Sequence, residues 1–298
     1  MSEKKWIRHS LSHLQQRLQN KGYRTSRPTV CRLLKKAKYS QKANKKRYVG
    51  VAHPHRNAQF EYLIGQRTRF LEAGLPVISV DTKKKELIGN FKNAGRTWSL
   101  EAEEVNLHDF AQEDTLRAVP YGLYDVTYNR GFVSVGSSAD TPEFAVNAIA
   151  SWWEHEGCLL YPKATRLLIL ADAGGSNGCR PHAWKQQLQQ QLSDRFGLEV
   201  TVCHYPTGCS KWNPIEYRLF SPISINWAGK PLRCLETMLA CIRGTTTRMG
   251  LTVKAFLLEG IYETGLTVTK DEMKKLSMTR HNVCPNWNYT FRPRPIHA

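Results

Sequence analysis

The chain has 298 residues, of which 41% are hydrophobic, and a formal net charge of +18. That hydrophobic content suffices for a folded core, so a wholly disordered chain is excluded. No run of residues approaches the roughly 18 apolar residues of a membrane span, and the first ten residues lack a signal-peptide core. The eight Cys form no Cys-x-x-Cys pair, which favours reduced thiols. We therefore expect a cytoplasmic protein with one large domain or a large and a small one, and no membrane partner.

The positive charge is concentrated at the start of the chain. Residues 1–47 contain 15 Lys or Arg and a single acid, Glu3, a net charge of +14. The remaining 251 residues contain 28 Lys or Arg against 24 Asp or Glu, a net charge of +4. Lys and Arg gain affinity for polyanions by releasing counterions from phosphates, so the segment indicates a nucleic-acid partner. A solvated basic tail, a ribosomal arm and a membrane-surface arm remain open as alternatives.

Two short helices are predicted inside this basic segment. Three Leu at i, i+3 and i+7 form an apolar stripe over residues 10–20, and Ser26 followed by Pro28 begins a second helix. A helix-turn-helix that places a basic second helix in the major groove of double-stranded DNA would look like this. The candidate DNA contacts on the second helix are Arg27, Arg32, Lys35 and Lys36. We assign 1–50 to an incomplete DNA-binding region, because two helices bury little core; any helical hairpin remains the alternative.

The rest of the chain alternates between strands and helices. A linker and a helix occupy 51–74, and an α/β domain with a mixed sheet is predicted for 75–298. The predicted elements, in chain order, are a helix at 58–73, a strand-rich run at 75–86, a hairpin around 129–131, a helix at 140–153, a strand at 166–172, a helix at 182–196, a strand at 198–205 and a helix from Asn213.

Three acids stand at positions that suit metal chemistry. Asp81 ends the first apolar strand, Asp172 ends the strand at 166–172, and Glu216 lies on the first turn of the helix after the last strand. A buried carboxylate requires water, a cation or a metal as its partner. Three carboxylates at one end of a sheet could hold two divalent ions roughly 3.5–4 Å apart for phosphoryl displacement. Mg²⁺ suits such a site, because it takes much of its shell from water and phosphate.

Each acid also has an ordinary interpretation. Asp81 could pair with one of the lysines that follow it, and Asp172 before two glycines could begin a turn. Glu216 stands three residues after Asn213, an arrangement close to a helix capping box. Three further acids are rivals that spacing alone does not exclude: Asp109, Asp125 and Asp140.

Basic and aromatic residues close to these acids in the sequence are candidate DNA contacts. They are Lys83, Lys85, Arg96, Lys211 and Trp212. The lysines and the arginine would lie along phosphates, and the tryptophan would stack on a base. A solvated charged face and core packing of the aromatic ring remain the alternatives.

Several long strings connect these elements to a known family. They are SVDTKKKELIGNFKNAGRTW, YGLYDV, DTPEFAVNAIASWW, LLILADAGGSNG, VTVCHYPTGCSKWNPIEYRLFSPISINW and WNYTFRP. In this order, they resemble the Rhodopirellula-type DDE transposase family of bacterial insertion sequences, from about residue 10 to about residue 292. The family acids fall on Asp81, Asp172 and Glu216. The resemblance implies a ribonuclease H-like mixed five-stranded sheet flanked by helices, which we place at 75–298.

The resemblance also implies an activity and its partners. Water activated by two Mg²⁺ or Mn²⁺ ions would cut the terminal repeats of the transposon, and the released 3′-hydroxyl would join target DNA. A homodimer or larger synaptic complex in the bacterial nucleoid is implied. Family members usually carry more helical DNA-binding sequence before the segment at 10–47. A truncated, catalytically inactive DNA-binding remnant is therefore one alternative, and a structure-selective nuclease of the same fold is another.

Overall fold

The computed structural model divides the chain into two compact units, residues 1–50 and 51–298. The residues that the structure describes are 9–41, 53–108 and 115–295. Among them, no helix is both long and apolar enough to cross a membrane.

The smaller unit contains the two predicted helices, α1 (Leu11–Asn20) and α2 (Arg27–Lys36). Each begins at a serine whose hydroxyl accepts a hydrogen bond from a backbone N–H three residues later, Ser10 for α1 and Ser26 for α2. Such caps satisfy donors that the first turn leaves without partners. Within the described part of this unit only Val30 is buried, so its hydrophobic core is small.

In the described part of the larger unit, nine strands form one mixed sheet. Their bounds are β1 (Val77–Thr82), β2 (Glu86–Leu87), β3 (Arg117–Asp125), β4 (Arg130–Gly136), β5 (Arg166–Asp172), β6 (Glu199–Tyr205), β7 (Thr252–Leu257), β8 (Met278–Arg280) and β9 (Asn288–Phe291). The five central strands lie in the order β4-β3-β1-β5-β6. β1 is antiparallel to β3 and parallel to β5, and β5 is parallel to β6. This is the expected ribonuclease H-like sheet.

The prediction of five strands was too low. β7 extends the sheet beside β4, β9 and β8 extend it beyond β6, and β2 pairs with β3. β2, β8 and β9 have only two to four residues, too few for an alternating pattern to be recognised. The residues of β9 are nevertheless all buried, so this segment is part of the core of the unit.

Helices flank the sheet, and several contain wider, π-helical turns. They are α3 (Arg56–Glu72), α4 (Pro142–Trp152) with a π-helical extension (Trp153–Gly157), α5 (Cys158–Leu160), α6 (His182–Gln187) with a π-helical extension (Leu188–Asp194), a 3₁₀ turn (Ser210–Trp212), a π-helical turn (Glu216–Phe220) leading into α7 (Ser221–Asn226), α8 (Leu235–Arg243) and α9 (Lys270–Lys274). α4 begins at Thr141, whose hydroxyl accepts from the Phe144 N–H at 3.2 Å.

The two faces of the sheet are covered by different helices. Side chains alternate along a strand, so Ile169 of β5 belongs to the same buried cluster as Trp184 of α6, whereas Leu168 belongs to the cluster that contains Phe70 of α3. All four side chains are at most 1% exposed, and burial of such a side chain contributes about 1.5–3 kcal/mol. Because helices cover both faces of the sheet, the middle of β5 is an uninterrupted apolar run. A polar residue can reach solvent only at the end of this strand.

Helix α3 begins at Arg56 and ends at Glu72, whereas the sequence predicted a helix at 58–73. Its Leu63 and Phe70 side chains are buried, but Phe60 and Leu71 are only partly buried. Gln59 is fully buried in their place, and its amide donates to a backbone carbonyl of β6 at 2.8 Å. A polar residue that satisfies a buried carbonyl is invisible to a search for apolar stripes.

Candidate active site

Asp81 and Asp172 lie side by side at the ends of two adjacent parallel strands. Val80 pairs with Ala171 in the register of β1 and β5, so the residues that follow are neighbours on the same side of the sheet. Both aspartates line one groove of about 430 Å³. Loop residues after β5 and β6 and a third acid, Asp140, form its other walls. The two predicted strand-end acids are therefore brought together.

The electrostatics of the groove link these acids to Glu216. The pKa of Asp81 is raised to about 8, first by burial and then by the charge of Asp172, with smaller contributions from Glu216 and Asp140. The pKa of Asp172 is raised to about 6 by burial and, to a lesser extent, by Glu216. Burial raises the pKa of Glu216, and the charge of Lys83 acts in the opposite direction. Like charges held this close favour a bound cation.

Asn213 holds one of these acids in place. Its amide donates to Asp172 Oδ1 at 3.2 Å and to the Val80 carbonyl at 3.4 Å, and its own oxygen accepts a hydrogen bond from the Ser79 hydroxyl. The capping-box interpretation is therefore wrong, because the Glu216 N–H bonds to the Asn213 backbone carbonyl, at 3.1 Å, and not to its side chain. The Asn-Pro pair in the sequence marked a helix start, but nothing in it indicated contact with Asp172.

The structure places the rival acids Asp140 and Asp125 in different parts of the larger unit. Asp140 belongs to the groove, where it accepts a hydrogen bond from the Thr82 hydroxyl at 3.1 Å. Asp125 is buried elsewhere, and its carboxylate accepts from the Tyr161 hydroxyl at 3.0 and 2.9 Å and from two backbone N–H groups of the following turn. Asp125 therefore has a structural role. Asp109 lies outside the described residues.

Lys83 is enclosed, unlike the solvated lysine that the sequence suggested. It is 8% exposed, its ammonium lies 4.4 Å from the centre of the Trp227 ring, and it forms an ion pair with Glu86 at 3.0 Å. Its partner is therefore not Asp81, and its charge acts to lower the pKa of Glu216.

The other predicted DNA contacts are on the surface of their units. Those in the larger unit that are exposed are Lys85, Arg96, Lys211 and Trp212. The Trp212 ring is 52% exposed with the Lys211 ammonium 5.2 Å from its centre, so core packing does not account for it. All four predicted contacts in the smaller unit are exposed: Arg27, Arg32, Lys35 and Lys36.

The chemistry of the groove fits a hard divalent cation. Carboxylate oxygens are the ligands that Mg²⁺ and Mn²⁺ prefer, and here they raise one another's pKa. Both polar atoms of the Asn177 amide, which lines the groove, also lack hydrogen-bond partners in the described structure. Within the same described ranges, however, no three His, Cys, Asp or Glu side chains stand close enough together to hold one ion.

Comparison with known proteins identifies the family. A family model described as the Rhodopirellula transposase DDE domain matches residues 1–293. The chain also matches solved structures of Mos1 transposase: a paired-end complex with the left transposon end (TM-score 0.46, 12% identity, 80% of this chain and 70% of that chain), and mariner paired-end complexes with Mn (0.45, 15%, 80% and 71%) and with Mg (0.43, 15%, 80% and 71%). Among curated proteins, no significant match was found. The family resemblance noted in the sequence is confirmed, and the chain belongs to the Rhodopirellula transposase DDE domain family.

Proposed function

We propose that this protein is the DDE transposase of a bacterial insertion sequence. It cuts the DNA at the transposon ends by hydrolysis and then joins the free 3′-hydroxyl to target DNA. The observation that carries the proposal is the pairing of Asp81 and Asp172 at the ends of adjacent strands, with the charge of Glu216 acting on both. Membership of the transposase family supports the same assignment.

Asp81, Asp172 and Glu216 are the residues that would hold two Mg²⁺ or Mn²⁺ ions. Bound there, the ions would lower the pKa of the attacking water or hydroxyl and stabilise the departing oxygen. Asn213 orients Asp172 through its amide, and Lys83 favours the ionised form of Glu216. Asp140, fixed by the Thr82 hydroxyl, adds negative charge at the edge of the groove.

DNA binding is divided between the two units in this proposal. Helix α2 presents its basic side chains to the terminal repeats of the transposon, as a recognition helix does in the major groove. In the larger unit, Lys85, Arg96 and Lys211 contact phosphates, and the exposed Trp212 ring stacks on a base beside the cut. Two transposon ends must be held together for transfer, so the working form is at least a homodimer.

Strand cleavage on DNA that flanks the gene tests the proposal. We expect nicking at inverted repeats that requires Mg²⁺ or Mn²⁺, and strand joining when target DNA is added. Asp172→Asn should abolish both steps while leaving DNA binding intact, and Asp125→Asn serves as the control acid outside the groove.

Three results would contradict the assignment. Cleavage that persists in Asp172→Asn would exclude the proposed site. Salt-sensitive DNA binding without metal-dependent cleavage would identify an inactive DNA-binding remnant. Cutting of branched DNA without strand joining would identify a structure-selective nuclease.

A further inference from the structure

A chain of buried polar groups runs from the far side of the sheet to the backbone of Asp172. The Trp184 indole nitrogen lies 3.0 Å from the Tyr289 hydroxyl, which lies 2.8 Å from His204 Nε2. His204 Nδ1 in turn lies 2.8 Å from the Asp172 carbonyl oxygen. Trp184, His204 and Tyr289 are each 0% exposed, so solvent does not reach these three side chains.

The chemistry of the groups fixes the direction of every hydrogen bond. The carbonyl oxygen of Asp172 can only accept, so His204 Nδ1 carries a proton and donates to it. In a neutral imidazole, Nε2 is then the acceptor nitrogen, and the Tyr289 hydroxyl donates to it. An indole N–H only donates, so the Tyr289 oxygen in turn accepts from Trp184.

The contact is made where the backbone most needs restraint. Asp172 is the last residue of β5, and the loop that follows begins Ala173-Gly174-Gly175, with Gly175 at a φ of +76°. Glycines leave such a segment conformationally free. Asn213 holds the carboxylate of Asp172, and His204 holds its carbonyl, so the residue is fixed at two points.

We infer that the Trp184–Tyr289–His204 chain is a positioning device for Asp172. It sets the direction of the Asp172 carboxylate by fixing the backbone that carries it, and it makes β9 a functional part of the site. The inference rests on the proposed function, because it assigns Asp172 to metal binding. His204 and Tyr289 are positioning residues, since neither faces the groove.

Tyr289→Phe tests the inference with Thr201→Val as the matched control. Both variants remove one buried hydroxyl between β6 and β9, because Thr201 and Thr290 share a hydrogen bond of 2.9 Å. Both should therefore lose stability. Only Tyr289→Phe should weaken Mn²⁺ binding, by about tenfold, when the folded proteins are titrated well below their Tm. Equal Mn²⁺ affinity in the two variants would show that the hydroxyl is merely structural.

Substitutions at His204 provide the second comparison. Asn carries its amide close to the position of Nδ1, so His204→Asn should retain most of the Mn²⁺ affinity, whereas His204→Leu should lose about as much as Tyr289→Phe. If His204→Leu binds Mn²⁺ as tightly as the wild type does, the inference is wrong. This comparison remains available even if Tyr289→Phe fails to fold.

Nitrogen NMR of the His204 imidazole shows which ring nitrogen carries the proton and so tests the direction of the hydrogen bonds. At neutral pH, the wild-type His204 ring should carry its proton on Nδ1. A ring protonated only on Nε2 would refute the inference. If instead the wild type binds no Mn²⁺, or Asp172→Asn binds it normally, the proposed metal site fails, and the inferred positioning role fails with it for a separate and recognisable reason.

Discussion

Replacement of Asp81 by Asn should stabilise the protein in the absence of divalent ions. Burial and the neighbouring carboxylates raise the pKa of Asp81 from 3.8 to about 8, so its ionised form is disfavoured in the folded state. Asn has nearly the same shape as the protonated acid and no charge to lose. The variant thus removes an electrostatic cost that the wild type bears whenever no cation occupies the groove.

The magnitude follows from the two pKa values. Each unit of difference is worth about 1.36 kcal/mol, and the unfolded chain releases its proton near pH 3.8. The folded protein binds this proton more tightly, so stability falls as pH rises from about 4 to about 8. At pH 7 the ionisable Asp81 costs the wild type about 4 kcal/mol of folding stability. Asp81→Asn avoids this cost, so its Tm should be higher by about 10 °C.

Thermal unfolding in EDTA at pH 7 and pH 4 measures this difference. Asp81→Asn should unfold at the higher temperature at pH 7, and the two proteins should converge near pH 4. Mg²⁺ should narrow the gap at pH 7, because only the wild type gains stability by binding it. Asp271→Asn is the control, since that carboxylate is 84% exposed. A gain in stability that is absent, or the same at both pH values, would refute the reasoning.

Three further predictions concern the metal site and the basic unit. Asn213→Ala should slow strand cleavage about 10- to 100-fold, because Asp172 loses the amide that orients it. The affinity for Mn²⁺, measured by titration, should rise from pH 6 to pH 8, since Asp172 and Asp81 must release protons with pKa values of about 6 and about 8. Arg32→Ala should weaken DNA binding and reduce the slope of log K against log salt by about 0.9, the value for one phosphate contact.

Two control variants and two contrary results test these predictions. Asn226→Ala removes an exposed asparagine that donates a hydrogen bond to a carbonyl of α8, and the cleavage rate of this variant should match that of the wild type. Lys274→Ala removes an exposed cation of the larger unit and should leave the salt slope unchanged. Mn²⁺ affinity that does not change with pH would exclude carboxylates with raised pKa values as ligands. An unchanged slope in Arg32→Ala would remove α2 from the DNA interface.

The sequence predicted the parts of the fold that have strong local patterns. The apolar run that ends at Asp172 is typical of a strand covered on both faces, and the register of β1 and β5 then brings Asp81 beside it. The central strands and the flanking helices followed from the same periodicity. Those patterns sufficed to nominate the two strand-end acids.

Contacts between distant segments could not be predicted in this way. Asn213 and Lys83 had sound local interpretations, a helix cap and a solvated lysine, which tertiary packing overrides. Asp140 was one of several equal rivals until the groove placed it near Asp81. Strand β9 was too short to recognise, although its Tyr289 reaches the backbone behind the site.

The addition of β9 to the edge of β6 has a consequence for synthesis and folding. Residues 206–287 separate the two strands, so β6 leaves the ribosome long before its antiparallel partner. Until residues 288–291 are translated, β6 exposes unpaired backbone groups that can recruit a strand from another nascent chain. Closure of so long a loop is slow, and this edge is therefore the place where chaperone contact or misassembly should begin.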